Sequence, residues 1–457
     1  MQAGRDHEAH DEEREGLLSG KEFYEGQEDI ARKDVPGKRV YILAGVLALL
    51  MLGAVFGPPW LRSSRPQADF DPRKLRSNGT HTFRKTSLIV SIDGLRTGLY
   101  AETHGIVANN FWDPRSGSEF HYSKVESCSN ASWWFGEPMW ETAEKAGIIT
   151  ANLMWPGPPE TATGFAPTYF IPWRNKVPMK EKHDQIMTWL DMSLDKRPQL
   201  IMAYEPSLDQ AGHLTGPNSP LVNRVLREVD EFARDIHDSL EARNLTDIVD
   251  VVFVSDHGMT DTSHPEHVYM DDILGDGFHK IDHIDGWPSM GIRFSSDANV
   301  SHYLDVLKTA AAASDGKFEV FTHETMPQSY HFSHNERIAP IYVVPKIGYV
   351  LTDHVENGAG MSKGNHGYDN NDPSMHAMFV AHGPFSAVVK AIQHSNNGLV
   401  RRFLSRPNKG WHSASNDTYV MDTFQNVEIY NLMMKLLGIE HRAAPTNGTE
   451  GFWDKYF

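Results

Sequence analysis

Asp209 and His213 stand four residues apart in Asp209-Gln210-Ala211-Gly212-His213, a spacing at which one helical turn or a tight loop could aim both at one ion. Three more short strings carry the same residue types. They are Asp93 in Ser91-Ile92-Asp93-Gly94, Asp256 and His257 in Ser255-Asp256-His257-Gly258-Met259, and His366 in Gly364-Asn365-His366-Gly367-Tyr368. Three carboxylates and three imidazoles supply the O and N donors that borderline-soft Zn²⁺ takes in four-coordinate sites. Two such ions against three aspartates leave a net charge of about +1, a seat for a phosphate. Each string has a bland alternative: Asp93 capping a turn, Asp256 and Gly258 as turn residues after a strand, His366 as a loop histidine between glycines. Their joint occurrence is what points to a metal site.

The elements that must position these residues are legible as short apolar runs. Leu88-Ile89-Val90-Ser91-Ile92, Leu200-Ile201-Met202-Ala203-Tyr204 and Val251-Val252-Phe253-Val254-Ser255 read as buried parallel strands. They deliver Asp93, Asp209 and Asp256 at or just after their carboxyl ends, where open α/β sheets bind ligands. Between the last two, Val222, Val225, Leu226, Val229, Phe232, Ile236 and Leu240 recur at helical spacing behind the capping pair Ser219-Pro220, a stripe for core packing. A strand–helix–strand unit of this kind predicts a parallel sheet with helices on both faces.

Further strings occur along the chain: Thr97-Gly98-Leu99-Tyr100, His104-Gly105-Ile106-Val107, Asn110-Phe111-Trp112-Asp113-Pro114, Gly136-Glu137-Pro138-Met139-Trp140, and the stretch from Asp422 through Asn426 to Leu432. With the candidate ligands, and in this order, they resemble the type I phosphodiesterase/nucleotide pyrophosphatase family of the alkaline phosphatase superfamily, from about Ser87 onward. The resemblance implies an α/β, alkaline-phosphatase-like, mostly parallel sheet flanked by helices. It implies two Zn²⁺, one held by Asp93, Asp256 and His257 with a nucleophile, the other by Asp209, His213 and His366. Asn109 matches the asparagine that stabilises charged phosphoryl oxygens, and Trp173, shortly before Val177-Pro178, matches an aromatic platform for a nucleotide base. Trp155 and Tyr169 are further candidates for base or sugar contacts, with core filling as the alternative; Trp133-Trp134 reads as structural. The implied reaction hydrolyses nucleoside triphosphates to monophosphate and pyrophosphate, and phosphodiesters, through a Thr/Ser nucleotidyl-enzyme.

At one place the sequence departs from this pattern. Between Asp-Gly-x-Arg and Thr-Gly-Leu-Tyr the family carries a segment of about 40 residues, well beyond the minimum for a βαβ crossover. That segment includes the Thr-Phe-Pro-Asn-type motif whose Thr or Ser is the nucleophile. Here Arg96 runs straight into Thr97, and Thr97 is the threonine that begins the downstream string. The chain as written is therefore expected to be inactive, and the clean join between two motifs favours a skipped exon or a splice form over a pseudoenzyme. A non-catalytic protein keeping a nucleotide- or phosphate-binding pocket is the alternative. Phosphoethanolamine transfer is a third reading, disfavoured by Gly-Asn-His-Gly-Tyr-Asp-Asn and by the candidate base platform.

Composition sets the surroundings. The chain has 457 residues and a formal net charge of −17, which leaves no basic excess for nucleic-acid duplexes but permits phosphorylated substrates at a metal. Cys128 is the one cysteine, so there is no intrachain disulfide framework. Residues 1–39 read as a polar disordered tail, within which Glu13-Arg14-Glu15-Gly16-Leu17-Leu18 has the form of an acidic dileucine signal. Residues 40–57 read as a single transmembrane helix ended at Gly57-Pro58-Pro59, 58–83 as a linker, and 84–457 as the catalytic domain with an inserted loop at 393–417. Basic residues flank both sides of the apolar run and do not orient it. Asn78, Asn130, Asn244, Asn299, Asn416 and Asn447 begin glycosylation sequons and all follow the run. They favour a type II protein with its catalytic domain luminal, in the vacuole or secretory pathway, or extracellular.

Overall fold

Two of the apolar runs flank the third. In a computed structural model, Thr86–Ile92 lies between Leu200–Tyr204 and Val249–Ser255 and parallel to both, with Ile89 opposite Met202 and Val252. Thr150–Leu153 and Tyr169–Ile171 extend the parallel set beyond Leu200–Tyr204. Phe379–His382 closes the other edge, antiparallel to Val249–Ser255, so the six-stranded sheet is mixed but mostly parallel. The structure describes residues 74–92, 97–356, 361–396 and 418–457. The tail 1–39, the apolar run at 40–57, Asp93 and Asn416 lie outside them. Residues 65–457 fall into one unit.

Strand side chains alternate between the faces, and both faces are buried, which is why these runs are continuously apolar. Ile89, Leu200, Met202, Val252 and Val254 pack with the helices Met139–Lys145 and Glu428–Leu437. Leu88, Val90, Ile201, Ala203, Val249 and Val251 pack with Met179–Leu190 and Pro220–Ala242. The Ser219 hydroxyl caps the latter helix by accepting from Val222 N at 3.1 Å, with Pro220 in the first turn. Its Val225, Val229, Phe232, Ile236 and Leu240 are buried, a gain of about 1.5–3 kcal/mol each. Leu226, expected in that stripe, is 49% exposed instead. One residue on from Val225 it has turned about 100° around the axis.

A second, antiparallel sheet runs in the order Ile281–Asp285, Met290–Phe294, Ile341–Pro345, Phe318–Thr322. Its residues join one apolar cluster with Leu307 of the helix Val300–Ala313, and another with Phe111, Phe120 and Trp133.

Two expected boundaries move. Arg76–Ser77 pairs with Thr82–Phe83 inside the stretch read as linker, Phe83 is buried, and Asn78 Nδ2 donates to Arg243 O at 2.8 Å. Local packing against the domain overrides the polar composition of this stretch. The helix Pro384–Asn396 runs past 393 into the stretch expected as loop, and 397–417 lie outside the described residues. Among the described residues no helix is long and apolar enough to cross a membrane.

Candidate metal and nucleotide site

The strand Leu200–Tyr204 hands the chain to the helix Ser207–Thr215 through Glu205. Glu205 Oε1 accepts from Ser207 N at 2.9 Å, satisfying a helix-start donor, while Oε2 accepts from Lys182 Nζ at 2.8 Å. Lys182 Nζ also donates to Tyr204 O at 2.8 Å, and both charged side chains are buried. On the helix so fixed, Asp209 and His213 lie one turn apart on one face.

His213 Nδ1 faces Gly364 O at 2.9 Å, so Nδ1 carries the proton and Nε2 keeps its lone pair for a ligand. Lys363 N donates to His213 O at 2.8 Å, zipping the helix to the loop that carries His366. A Cβ on Gly364 would sit 2.4 Å from Gly212 O, so this approach requires glycine. His213 Nε2 stands 3.2 Å from His366 Nε2 and 3.4 Å from Asp209 Oδ1, and His366 Nε2 stands 3.8 Å from Asp209 Oδ1. One donor atom from each of the three residues falls within 4.8 Å of the others. Ligands bound tetrahedrally at about 2.0–2.1 Å are about 3.3 Å apart, so the trio fits a metal ion both in spacing and in donor type.

The other half begins on the strand Val249–Ser255, whose Ser255 is level with Ile92. Asp256 Oδ1 accepts from His257 N at 3.0 Å, and Asn426 Nδ2 donates to Asp256 O at 2.8 Å. His257 Nδ1 donates to Gly258 O at 2.8 Å, again leaving Nε2 as the donor atom, here 3.5 Å from Asp256 Oδ1. The His257 ring stacks on His366, centroids 3.4 Å apart and 14° from parallel. A side chain on Gly258 would meet Ser374 O at 2.1 Å, which fixes glycine there. Five of the six candidate ligands thus come together, and the sixth, Asp93, lies outside the described residues. Beside His366, burial raises the Tyr368 hydroxyl's pKa, and that hydroxyl donates to Tyr349 O at 3.0 Å.

The aromatic candidates separate. Trp173 is 41% exposed and stands edge-on to Tyr204, centroids 5.6 Å apart, at the carboxyl end of the strand that leads to Asp209. Trp155 is 3% exposed in the core, which leaves a ligand no face to stack on. The Tyr169 hydroxyl donates to Lys196 O at 2.9 Å, and Tyr169 opens its strand at the end opposite the ligands. For both, the packing alternative describes what is observed. Asn109 is exposed, and its carbonyl accepts from Tyr122 N at 2.8 Å; the Tyr122 hydroxyl lies 3.4 Å from that of Tyr204. Asn109 and Trp173 are thereby linked through Tyr122 and Tyr204, two residues that sequence reasoning did not single out. The buried Lys182–Glu205 pair was also missed, since no local pattern marks a partner 23 residues away. Asn426 stands inside a string already recognised as familial, but its hydrogen bond to Asp256 O spans 170 residues. Thr97 is 9% exposed, with its methyl 3.8 Å from where a Cβ on Gly136 would stand.

Comparison with known proteins identifies the family and the fold. The sequence model of the type I phosphodiesterase / nucleotide pyrophosphatase family matches residues 94–369. An uncharacterised pyrophosphatase/phosphodiesterase of Schizosaccharomyces pombe is 32% identical over 421 residues, covering 82% of this chain and 80% of that protein. Mouse ectonucleotide pyrophosphatase/phosphodiesterase family member 3 is 31% identical over 78% of this chain, which spans only 37% of that relative's length. Among solved structures, murine ectonucleotide pyrophosphatase/phosphodiesterase 5, an inactive threonine-to-alanine variant in complex with AMP, aligns with a TM-score of 0.66 at 25% identity, over 81% of this chain and 98% of that one. The fold is the α/β class of alkaline-phosphatase-like hydrolases. The chain belongs to the type I phosphodiesterase/nucleotide pyrophosphatase family.

Proposed function

We propose that this fold is the catalytic domain of a di-zinc nucleotide pyrophosphatase/phosphodiesterase, anchored by a single N-terminal helix at 40–57. Its substrates are nucleoside triphosphates, cleaved to monophosphate and pyrophosphate, and phosphodiesters. The observation that carries this reading is the convergence of Asp209, His213 and His366, with His257 stacked on His366, just beyond the carboxyl ends of the parallel strands. Asp209, His213 and His366 would hold one Zn²⁺; Asp256, His257 and Asp93 would hold the other. When bound, the ions supply Lewis-acid neutralisation of the phosphate and activation of a hydroxyl. The protein's own groups do the rest. The carbonyls of Gly364 and Gly258 hold the imidazole tautomers, the Asn109 amide donates to charged phosphoryl oxygens, and Trp173 offers its exposed face to the base.

Arg96 runs straight into Thr97, the threonine that begins the downstream Thr-Gly-Leu-Tyr string, so we propose that the family's Thr/Ser nucleophile has no counterpart here and that this form does not turn over. The family segment between Arg96 and Thr97 is what it lacks. The AMP complex of the inactive murine relative favours retained nucleotide binding as the second reading: a family pocket without its threonine hydroxyl still holds a nucleotide. One experiment separates the two. The chain as written should bind AMP with zinc present yet leave p-nitrophenyl-thymidine monophosphate and ATP intact. The form with the segment restored should hydrolyse both and lose that activity when its Thr/Ser becomes Ala. Robust turnover by the 457-residue chain would overturn the proposal.

We further propose a type II topology with a luminal or extracellular domain. Its support is the sequon distribution, with Asn130, Asn244, Asn299 and Asn447 exposed and Asn78 half-buried. A glycosidase-sensitive mass shift on the secretory-pathway product is the expected result.

A further inference from the structure

The two candidate half-sites sit on separate stretches of chain, and something must hold them in register. We propose that Asn365 is the positioning residue that ties them together; this rests on the metal-dependent reading above. Asn365 stands between Gly364, whose carbonyl orients His213, and His366 itself. It is 3% exposed, and its side-chain Nδ2 donates to Thr262 Oγ1 at 2.6 Å and to Ser362 O at 3.0 Å. Thr262, also 3% exposed, belongs to the stretch that leaves the Asp256–His257 turn. Its hydroxyl donates to Ser362 O at 2.9 Å, and its N–H to Lys363 O at 2.8 Å.

The backbone ladder between the two stretches has only two registered pairs, Thr260 with Asn365 and Asp261 with Gly364. So short a ribbon is marginal by itself, and the buried side-chain bond extends it by one more tie. The connection then runs from His257 through Thr262 to Asn365, and from there to His366 on one side and Gly364 and His213 on the other. Past His366 the far flank is held as well, by Ser289 Oγ donating to Gly367 O at 2.6 Å. The Asn365 amide contributes no ligand. It fixes where His366 stands relative to His213 and to His257, as groups behind metal ligands commonly do.

The test uses the full chain and needs no turnover. Zinc affinity is read by competition with a chromophoric chelator, and ligand geometry by the visible absorption of the cobalt-loaded protein. Asn365→Ala should weaken binding of one ion by about 10-fold or more and shift the cobalt bands. Thr262→Val should do the same, Thr262→Ser should behave as wild type, and the double variant should be no worse than either single change. Leu240→Ala, at the far end of the long helix, is the control: it should lower stability and leave the cobalt spectrum alone. If Asn365→Ala does not fold, the Thr262 pair decides, and indistinguishable spectra and affinities for Thr262→Val and Thr262→Ser overturn the inference. Wild-type binding with an unaltered Asn365→Ala variant overturns this inference only. A wild-type chain that takes up neither metal overturns the metal reading along with it.

Discussion

At the scale of single residues, the carbonyls matter as much as the ligands. Gly364 O accepts from His213 Nδ1 at 2.9 Å, which dedicates Nε2 to the space shared with Asp209 and His366. Removing that Nε2 by His213→Ala should reduce the zinc stoichiometry by one ion, measured by chelator competition on the purified chain, with more affinity lost than for Asn365→Ala. Exposure distinguishes the two tryptophans in the same way. Trp173→Ala should weaken AMP binding by about 1–3 kcal/mol in calorimetry, the usual worth of one stacked base. Trp155→Phe should leave AMP affinity unchanged, because Trp155 is 3% exposed in the core, and it should lower stability instead. Equal losses of AMP affinity in the two variants would remove Trp173 from the base site.

At the scale of elements, buried charged groups hold secondary structure where the site needs it. Lys182 reaches from the helix Met179–Leu190 to Glu205 and Tyr204 O, and Glu205 fixes the start of the helix that bears Asp209 and His213. Lys182→Met strands a carboxylate in the interior and should cost about 3–5 kcal/mol in urea unfolding. Lys182→Met with Glu205→Gln should recover part of that loss, because the uncompensated charge is gone. Asp250, 1% exposed, accepts from Phe385 N at 2.7 Å and so anchors the helix Pro384–Asn396 to the sheet. Burial pushes its pKa up to about 6 despite the nearby Lys85, itself pushed down to about 8 by burial. An acid with a folded-state value above its unfolded value of about 3.9 retains a proton that the unfolded chain releases. Stability from this group therefore falls as pH rises from about 4 to about 6. Lys85 has the mirror relation: the cost of its buried charge is fully present below about 8 and is relieved as pH rises toward 10.5. Asp250→Asn keeps the acceptor for Phe385 N and should flatten the slope between pH 4 and 6, read from urea unfolding at stepped pH. An unchanged slope would reject the assignment.

At the scale of the whole chain, one buried arginine governs how the stretch downstream of Thr97 is held. Arg337, 5% exposed, donates through Nη1 to Gly105 O at 2.9 Å and Trp133 O at 2.6 Å, while Nη2 lies 3.2 Å from Asp113 Oδ2. It thereby clamps the stretch downstream of Thr97 to residues that lead into the antiparallel sheet. Arg337→Lys cannot reproduce a fork with three partners and should destabilise the fold by about 2–4 kcal/mol in denaturant unfolding. Restoring the family segment should raise the thermal midpoint as well as activity, since a strand-and-helix-sized piece adds core. A restored form that unfolds no higher than the 457-residue chain would separate the catalytic role of the segment from any structural one.

Local patterns in the sequence were enough for three central strands of the main sheet, for the long helix and for naming candidate ligands, but not for the sheet's other three strands or for the antiparallel sheet. Continuous apolar runs mark doubly buried strands, a period near 3.6 marks the stripe on Pro220–Ala242, and Asp or His just past a strand marks a candidate ligand. Five of the six candidate ligands meet, drawn from stretches that together span more than 150 residues. The parallel strand order brings four of them to one end of the sheet, and the short ribbon of Thr260–Asp261 with Gly364–Asn365 brings His366 to them. Tertiary structure alone decided which aromatic faces solvent. In sequence Trp173 is set apart only by its match to the family's base platform, and it is packing against Tyr204 rather than in the core that leaves its face exposed while Trp155 is buried. It alone decided the tautomers, because Gly364 is 151 residues from His213. It alone supplied the partners of Asn365, Lys182 and Arg337, since a buried hydrogen bond depends on which backbone the fold brings near and leaves no period in the chain.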